Sequence, residues 1–318
     1  MTQVTHARSG VLAERIWTVI VNWQQTETTV SCLASLQRAG ADCSQVAVVD
    51  NESNGQLERR VRAVAPGVVV LAQPDNLGFA RAVNVGARYA MARGATGIFL
   101  LNNDAILLPG AIQQLTEKLA GDPDLGVVTA KVFLTETPDR LWAVGGVFNG
   151  RRVVEMGAGE RDVGAYDDAR LDFVYGCAML MRAEMFRQIG GFDERYFLYY
   201  EDIDLCLRAR AAGWSVGMAP SAHVLHEGSK STRGEPSIKI YHHARSRVLF
   251  FSRHLRQAKT LFAASEVAFI ARHLATHLVA GEGGNAAAYV RGTIDGLRSR
   301  MVGHTPGGTA VAASEHGA

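Results

Sequence analysis

Three times within its first 104 residues the chain runs a short apolar stretch straight into asparagine or aspartate. Ile16-Trp17-Thr18-Val19-Ile20-Val21 ends at Asn22, Val46-Ala47-Val48-Val49 at Asp50-Asn51, and Gly97-Ile98-Phe99-Leu100-Leu101 at Asn102-Asn103-Asp104. Apolar runs of this length, rich in β-branched residues, are the mark of strands covered on both faces. Helical spacing fills the intervals: 26–39 is stopped by Gly40, 79–93 by Gly94, and Pro109 sits well at the start of a helix reaching about 119. Two further strands are expected at 68–71 and 127–130. This alternation predicts an α/β fold with a mainly parallel sheet. In open sheets of that kind ligands bind beyond the carboxyl ends of the strands, where these polar clusters stand.

The second half changes character. Residues 133–170, rich in Gly, Asp and Arg, suggest hairpins and loops over the site, and 171–182 reads as a strand. A short helix at 183–189 precedes Gly190-Gly191. The aromatic cluster Phe192, Tyr196, Phe197, Tyr199 and Tyr200 leads into Glu201-Asp202-Ile203-Asp204, which opens a helix over 201–212. An edge strand is expected at 214–218 and helices over 241–300. The expected organisation is a flexible arm at 1–15, an α/β domain at 16–240, a helical region at 241–300 and a disordered tail at 301–318.

At 47% apolar residues, the 318-residue chain is globular rather than disordered. Its 33 basic and 31 acidic side chains leave a net charge of +2, which gives no overall pull toward nucleic acid. The cysteines at 32, 43, 177 and 206 lack zinc-ligand spacing and read as small buried hydrophobes. No secretory-type apolar run opens the chain and no stretch nears ~20 apolar residues, so the cytoplasm is the expected compartment.

Several clusters carry chemistry beside a plainer reading. Asp104, at a strand end, suits a hard divalent cation, although Asn and Asp also stop strands as turn residues. Glu201 and Asp202 open a helix and gain from its dipole. Either could serve as general base beside an aromatic floor, or both could cap the helix, with Asp204 and Arg208 as an i,i+4 pair. A lone histidine such as His226 is ordinarily structural and gains weight only if it converges on Asp104. The junction Asp75-Asn76-Leu77-Gly78-Phe79-Ala80-Arg81 could meet a phosphate through its N–H groups and Arg81, or simply start a helix.

Taken together, the order and spacing of these pieces resemble the family-two inverting glycosyltransferases of the GT-A fold, in particular the bacterial rhamnosyltransferase-like branch. The resemblance rests on Ile20-Val21-Asn22, Val48-Val49-Asp50-Asn51-Glu52-Ser53, Asn76-Leu77-Gly78-Phe79-Ala80 with Asn84, and Leu101-Asn102-Asn103-Asp104. It continues through Gly191-Phe192-Asp193-Glu194, the stretch from Phe197 to Leu205, and His226 followed by Gly228 and Ser229. It implies a central, mainly parallel Rossmann-like sheet flanked by helices, with a C-terminal helical extension. It also implies sugar transfer with inversion, from a nucleotide-sugar donor to a glycan or lipid-linked acceptor, in polysaccharide assembly. The donor would be held by Asn22, Asp50, Asn51, Asn76, Gly78, Phe79, Arg81, Asn84, Asn102 and Asn103. Asp104 and His226 would bind Mg²⁺ or Mn²⁺, and Asp202, next to Glu201, would be the general base. The metal motif reads Asn-Asn-Asp where many GT-A enzymes have Asp-x-Asp. L-Rhamnose from its thymidine diphosphate is the first expectation for the donor, UDP-linked hexoses the next.

Other classes fare worse. A dinucleotide-binding dehydrogenase needs G-x-G-x-x-G after its first strand, where this chain has Asn22-Trp23-Gln24-Gln25-Thr26. A sugar nucleotidyltransferase would carry a Gly-rich basic loop there. A catalytically silent scaffold has no need of Asp104, Asp202 and His226 together. Toward the C-terminus, Val267, Ile270, Leu274 and Leu278 form an apolar stripe among Arg256, Lys259, Arg272, His273 and His277. Packing on the catalytic domain or on a second copy in a homodimer is the first expectation, and peripheral contact with the inner membrane face the second.

Overall fold

A computed structural model describes residues 15–227, 236–255, 269–272, 274–276 and 282–301. The expected N-terminal arm up to residue 14, the tail after 301, Gly228 and Ser229 lie outside the described residues. So do Val267, Leu278, Arg256, Lys259, His273 and His277 of the C-terminal stripe.

The chain runs β1 (Ile16–Trp23), α1 (Thr26–Arg38), β2 (Val46–Asn51), α2 (Gln56–Val64), β3 (Val69–Ala72), α3 (Phe79–Ala92) and β4 (Gly97–Leu101). It continues through β5 (Ala105–Leu107), α4 (Ala111–Gly121), β6 (Leu125–Leu134), β7 (Leu141–Ala143), β8 (Gly145–Phe148) and β9 (Val153–Met156). Then come β10 (Ala178–Arg182), α5 (Ala183–Ile189), α6 (Glu201–Ala211), β11 (Ser215–His226), α7 (Pro236–His254) and α8 (Gly283–Met301).

A nine-stranded sheet has the order β3-β2-β1-β4-β10-β6-β11-β5, with β7 beside β6. β3, β2, β1, β4, β6 and β11 point one way, while β10, β5 and β7 run against them. β8 and β9 form a separate hairpin.

Strand alternation divides the core between the two faces. Ile98 and Leu100 of β4 face a cluster with Val83 and Ala87 of α3, Met185 of α5, Leu205 of α6 and Phe250 of α7. Phe99 and Leu101 face the opposite cluster, with Leu33 and Leu36 of α1, Leu57 and Val61 of α2, and Leu115 and Leu119 of α4. All five β4 residues are buried, as a strand covered on both faces requires. Arg182 is buried at the foot of β10. It donates to the carbonyls of Leu125 (2.7 Å), Asp122 (2.8 Å) and Leu119, and so satisfies the carboxyl end of α4.

Four details depart from the sequence pattern. α2 shows only Leu57 and Val61 to the core, too few to stand out in a charged stretch. β5 is three residues long. The strand expected at 171–182 narrows to β10, because Phe173 and Val174 are buried outside any strand, against Gly145 and Gly146 of β8. β11 extends to His226 and lies between β6 and β5 rather than at the edge. Pro220 lacks an amide donor and looks like a stop, but the strand absorbs it in a bulge between Ala219 and His223 and then resumes its pairing.

α7 is clamped to the stretch leading into α6. Asp204 meets Arg208 (2.6 Å) and His254 (2.7 Å), and Asp193 meets Arg195 and Arg253 (2.6 Å each). Burial alone would raise Asp193, but the two guanidiniums outweigh it and hold the carboxyl at about 2. α8 packs closely on α7: a Cβ at Gly292 would lie 2.2 Å from the Tyr241 carbonyl oxygen, and one at Gly296 2.7 Å from that of Arg245.

Candidate active site

The polar ends of β1, β2 and β4 open onto a cavity of about 690 Å³. Side chains alternate along a strand, so neighbouring residues there serve different walls. Trp23 and Asn51, which are in register, line this cavity. Asn22 and Asp50, also in register, line a second hollow of about 380 Å³ with Gln24, Glu52 and Asn54. Asn22 Nδ2 donates to Asp50 Oδ1 (2.7 Å), and Asn22 Oδ1 accepts from Thr29 Oγ1 (2.8 Å). Glu52 stands between the two spaces, accepting from Trp23 Nε1 (2.9 Å) and Gln24 Nε2 (3.1 Å).

Asn76, Gly78 and Phe79 line the cavity at the start of α3. Asn76 Oδ1 accepts from the Gly78 amide (3.0 Å), and Asn51 Nδ2 donates to the Gly78 carbonyl (3.2 Å). Gly78 has φ +77°, and a Cβ there would lie 2.6 Å from the Phe197 carbonyl oxygen, which the Phe79 amide already uses at 2.7 Å. Gly78→Ala is therefore expected to cost about 3 kcal/mol, combining backbone strain with a collision. Urea denaturation of the two proteins measures it, and an unchanged midpoint would show that the contact yields freely.

Asn102, Asn103, Asp104 and His226 share one wall. The short strand β5 brings them together: Ala105 pairs with His226 in register, which sets Asp104 Oδ1 3.0 Å from His226 Nε2. Asn102 Nδ2 lies 3.4 Å from the same nitrogen, and the Asn103 amide donates to Thr29 Oγ1 (3.1 Å). His226 and Asp104 are both buried, and His226 Nδ1 is buried with no hydrogen-bond partner. Burial disfavours a charged ring, but Cys177 and the Asp104 carboxylate beside it more than compensate and push His226 up to about 10. Among the described residues no group of three His, Cys, Asp or Glu side chains gathers to hold a metal ion.

Glu201 and Asp202 line the same cavity from the start of α6. The preceding residues, Tyr199 and Tyr200, are both left-handed, with φ +69° and +67°. Two consecutive non-glycine residues in that region are strained, and the turn they make carries the acids into the cavity. Asp202 accepts from the Gly176 amide (3.1 Å) and the Ile203 amide (2.8 Å). Burial outweighs these donors and pushes Asp202 up to about 6. Burial, reinforced by the Asp202 charge, raises Glu201 well above the usual carboxylate range.

Two sequence candidates stand elsewhere. Arg81 lies 3.8 Å from Glu194 and does not line the cavity. Asn84 is buried and bridges α3 to the next segment, donating to the Phe192 carbonyl and accepting from its amide (2.9 Å each). Other cavity residues carry no motif: Trp142, Glu155, Tyr175, and Ile238, His242 and His243 of α7. Trp142 sits edge-on to His226 (4.8 Å between centroids) and to Tyr175 (5.3 Å), and His242 stacks on Phe197 (4.4 Å). Burial lowers His242 to about 4. The consecutive aromatics before Glu201 hint at such a lining, but a strand as short as β7, which carries Trp142, gives no periodic signal.

Residues 14–260 match the family described as Glycosyltransferase like family 2. An N-acetylglucosaminyl-diphospho-decaprenol L-rhamnosyltransferase of Mycobacterium tuberculosis is 32% identical over 248 residues, covering 69% of this chain and 78% of the relative. A dTDP-rhamnosyl transferase of Shigella flexneri is 24% identical over 267 residues, covering 80% of this chain and 86% of that protein. Among solved structures, a mannosyltransferase from Pyrobaculum calidifontis in complex with GDP-Man and Mn²⁺ aligns with a TM-score of 0.56 at 16% identity, covering 92% of this chain and 89% of that one. That likeness carries the GT-A fold expected from the sequence. By the match across most of its length, the chain belongs to the family-two glycosyltransferases and is a glycosyltransferase of the rhamnosyltransferase-like kind.

Proposed function

We propose that the enzyme transfers L-rhamnose, with inversion, from its thymidine diphosphate to a hydroxyl of N-acetylglucosamine carried on a lipid diphosphate. The two rhamnosyltransferase relatives support the sugar, and the Mycobacterium tuberculosis relative supports the acceptor. No helix among the described residues is long and apolar enough to cross a membrane, so lipid-linked acceptor would be met at a surface.

One observation carries the mechanism. The described lining of the large cavity carries Asp104, Glu155, Glu201 and Asp202 and no lysine or arginine. A nucleoside diphosphate placed there needs its charge neutralised by something other than lysine or arginine. Asp104 and His226, side by side on one wall, would hold a divalent cation such as Mg²⁺ or Mn²⁺ there. Bound there, the cation would stabilise the charge that develops on the leaving diphosphate. In this reading Asn22 and Asp50 face the nucleoside, Asn102 lies near the ribose, and Asn51, Asn76 and Gly78 shape the donor site.

Asp202 is the base: it lines the cavity from the start of α6 and takes the proton of the attacking hydroxyl. Burial and the Asp202 charge favour the protonated form of its neighbour Glu201. Asp202 is pushed up to about 6, so it is protonated and inactive as a base below that pH. Acceptor kcat/KM is therefore expected to fall about tenfold per pH unit below about 6, and a flat profile down to pH 4.5 would remove Asp202 from this role. The product itself tests inversion: transfer from dTDP-β-L-rhamnose is expected to give an α-linkage, read from the one-bond C–H coupling at the anomeric carbon. A β-linked product would overturn a single displacement.

A further inference from the structure

The β8–β9 hairpin carries one carboxylate that the mechanism above leaves unused. Glu155, on β9, lines the large cavity and is otherwise exposed. Tyr175 Oη donates to its Oε1 at 2.6 Å, which fixes the carboxyl group while leaving its outer face toward the cavity. Tyr175 is itself held edge-on between Trp142 (5.3 Å) and Phe173 (5.6 Å). The next residue, Gly176, gives its amide to Asp202. One short segment therefore ties the Glu155 carboxylate and the Asp202 carboxylate to neighbouring positions on the same side of the cavity.

Charge decides what Glu155 can meet. A carboxylate repels a diphosphate, and the described lining holds no lysine or arginine to offset it. A neutral sugar offers hydroxyl donors, for which an anchored carboxylate is a strong acceptor. The charge of Glu155 also adds to the upward push on Asp202, which places the two groups in one electrostatic environment.

We propose that Glu155 is a specificity-determining residue for the acceptor: it accepts a hydrogen bond from a second hydroxyl of the acceptor sugar and thereby selects which hydroxyl reaches Asp202. This rests on the transfer reaction proposed above. The substrate class it implies is a sugar with a free hydroxyl near the one that is glycosylated. Tyr175 acts through Glu155 by holding the carboxyl group in place.

The test uses the full chain with dTDP-β-L-rhamnose as donor and an N-acetylglucosaminyl diphosphate bearing a short prenyl chain as acceptor. Glu155→Ala is expected to raise the acceptor KM at least about tenfold, the size of a lost charge-assisted hydrogen bond, with donor KM within about twofold. Glu155→Gln keeps an acceptor oxygen and is expected to recover most of the loss. Tyr175→Phe, which removes the anchor and keeps the ring, is expected to fall between them. An analogue of the acceptor lacking the hydroxyl beside the glycosylated one should bind the wild type as weakly as the full acceptor binds Glu155→Ala. An acceptor KM unchanged in Glu155→Ala overturns the proposal, as does a rise confined to donor KM, which would put the hairpin against the donor sugar. Wild-type enzyme that hydrolyses the donor in water but leaves this acceptor untouched would instead overturn the acceptor named above, and this assignment with it.

Discussion

Asp202→Asn is expected to lower kcat about a thousandfold, within the range that a positioned general base supplies, while leaving donor KM nearly unchanged. The acceptor hydroxyl must shed its proton as the new bond forms, and the asparagine amide cannot take it. The wild-type carboxylate is partly buried, held by the Gly176 and Ile203 amides, and pushed up to about 6, a value suited to receiving a proton near neutral pH. Both oxygens accept from backbone amides, so asparagine turns its NH₂ toward one of those donors and also costs about 1–2 kcal/mol of stability. A thermal melt separates this cost from the catalytic one. Turnover within tenfold of wild type in a folded variant would mean that another group takes the proton.

The second large effect belongs to Asp104. Asp104→Ala is expected to reduce kcat/KM for the donor about a hundredfold or more, the scale of lost charge stabilisation at a leaving diphosphate. It removes the one carboxylate of the Asn102-Asn103-Asp104 motif and takes from His226 its 3.0 Å partner. Asp104→Asn keeps the shape and one oxygen and should lie between. Raising Mn²⁺ in the assay should recover part of the loss in Asp104→Asn and little in Asp104→Ala. Wild-type activity undiminished in EDTA would show that the Asp104–His226 pair has a structural role alone.

The strands of the parallel half and the helices α1, α3, α5 and α6 were legible because their patterns are local: unbroken apolar runs, helical spacing, and a glycine or proline stop. The approach of Asp104 to His226 was not. It depends on β5, three residues long, and on β11 continuing past Pro220, features that no local period announces. The motif resemblance placed the two residues in one site, and strand register shows how the chain does it. Arg81 and Asn84 illustrate the opposite case. They sit on the same helix start as Gly78 and Phe79, yet their side chains point to Glu194 and Phe192, because a helix turns successive residues to different faces. The expected pair of Asp204 with Arg208 appears at 2.6 Å, but the larger role of Asp204, clamping α7 through His254, joins residues fifty positions apart. Trp142, Glu155, Tyr175 and the α7 histidines reach the cavity from a three-residue strand, a hairpin, a loop and a late helix. Only the assembled sheet brings them together.

The central claim is that a divalent cation held at Asp104 and His226 and a base at Asp202 act on one nucleotide sugar. The most direct measurement is nucleoside diphosphate release from a panel of nucleotide sugars, in Mn²⁺, in Mg²⁺ and in EDTA, by the wild type, Asp104→Ala and Asp202→Asn. The account predicts metal-dependent release of dTDP from dTDP-β-L-rhamnose by the wild type, abolished in EDTA and reduced by two orders of magnitude or more in both variants. Undiminished release in EDTA, or full activity in either variant, would contradict it.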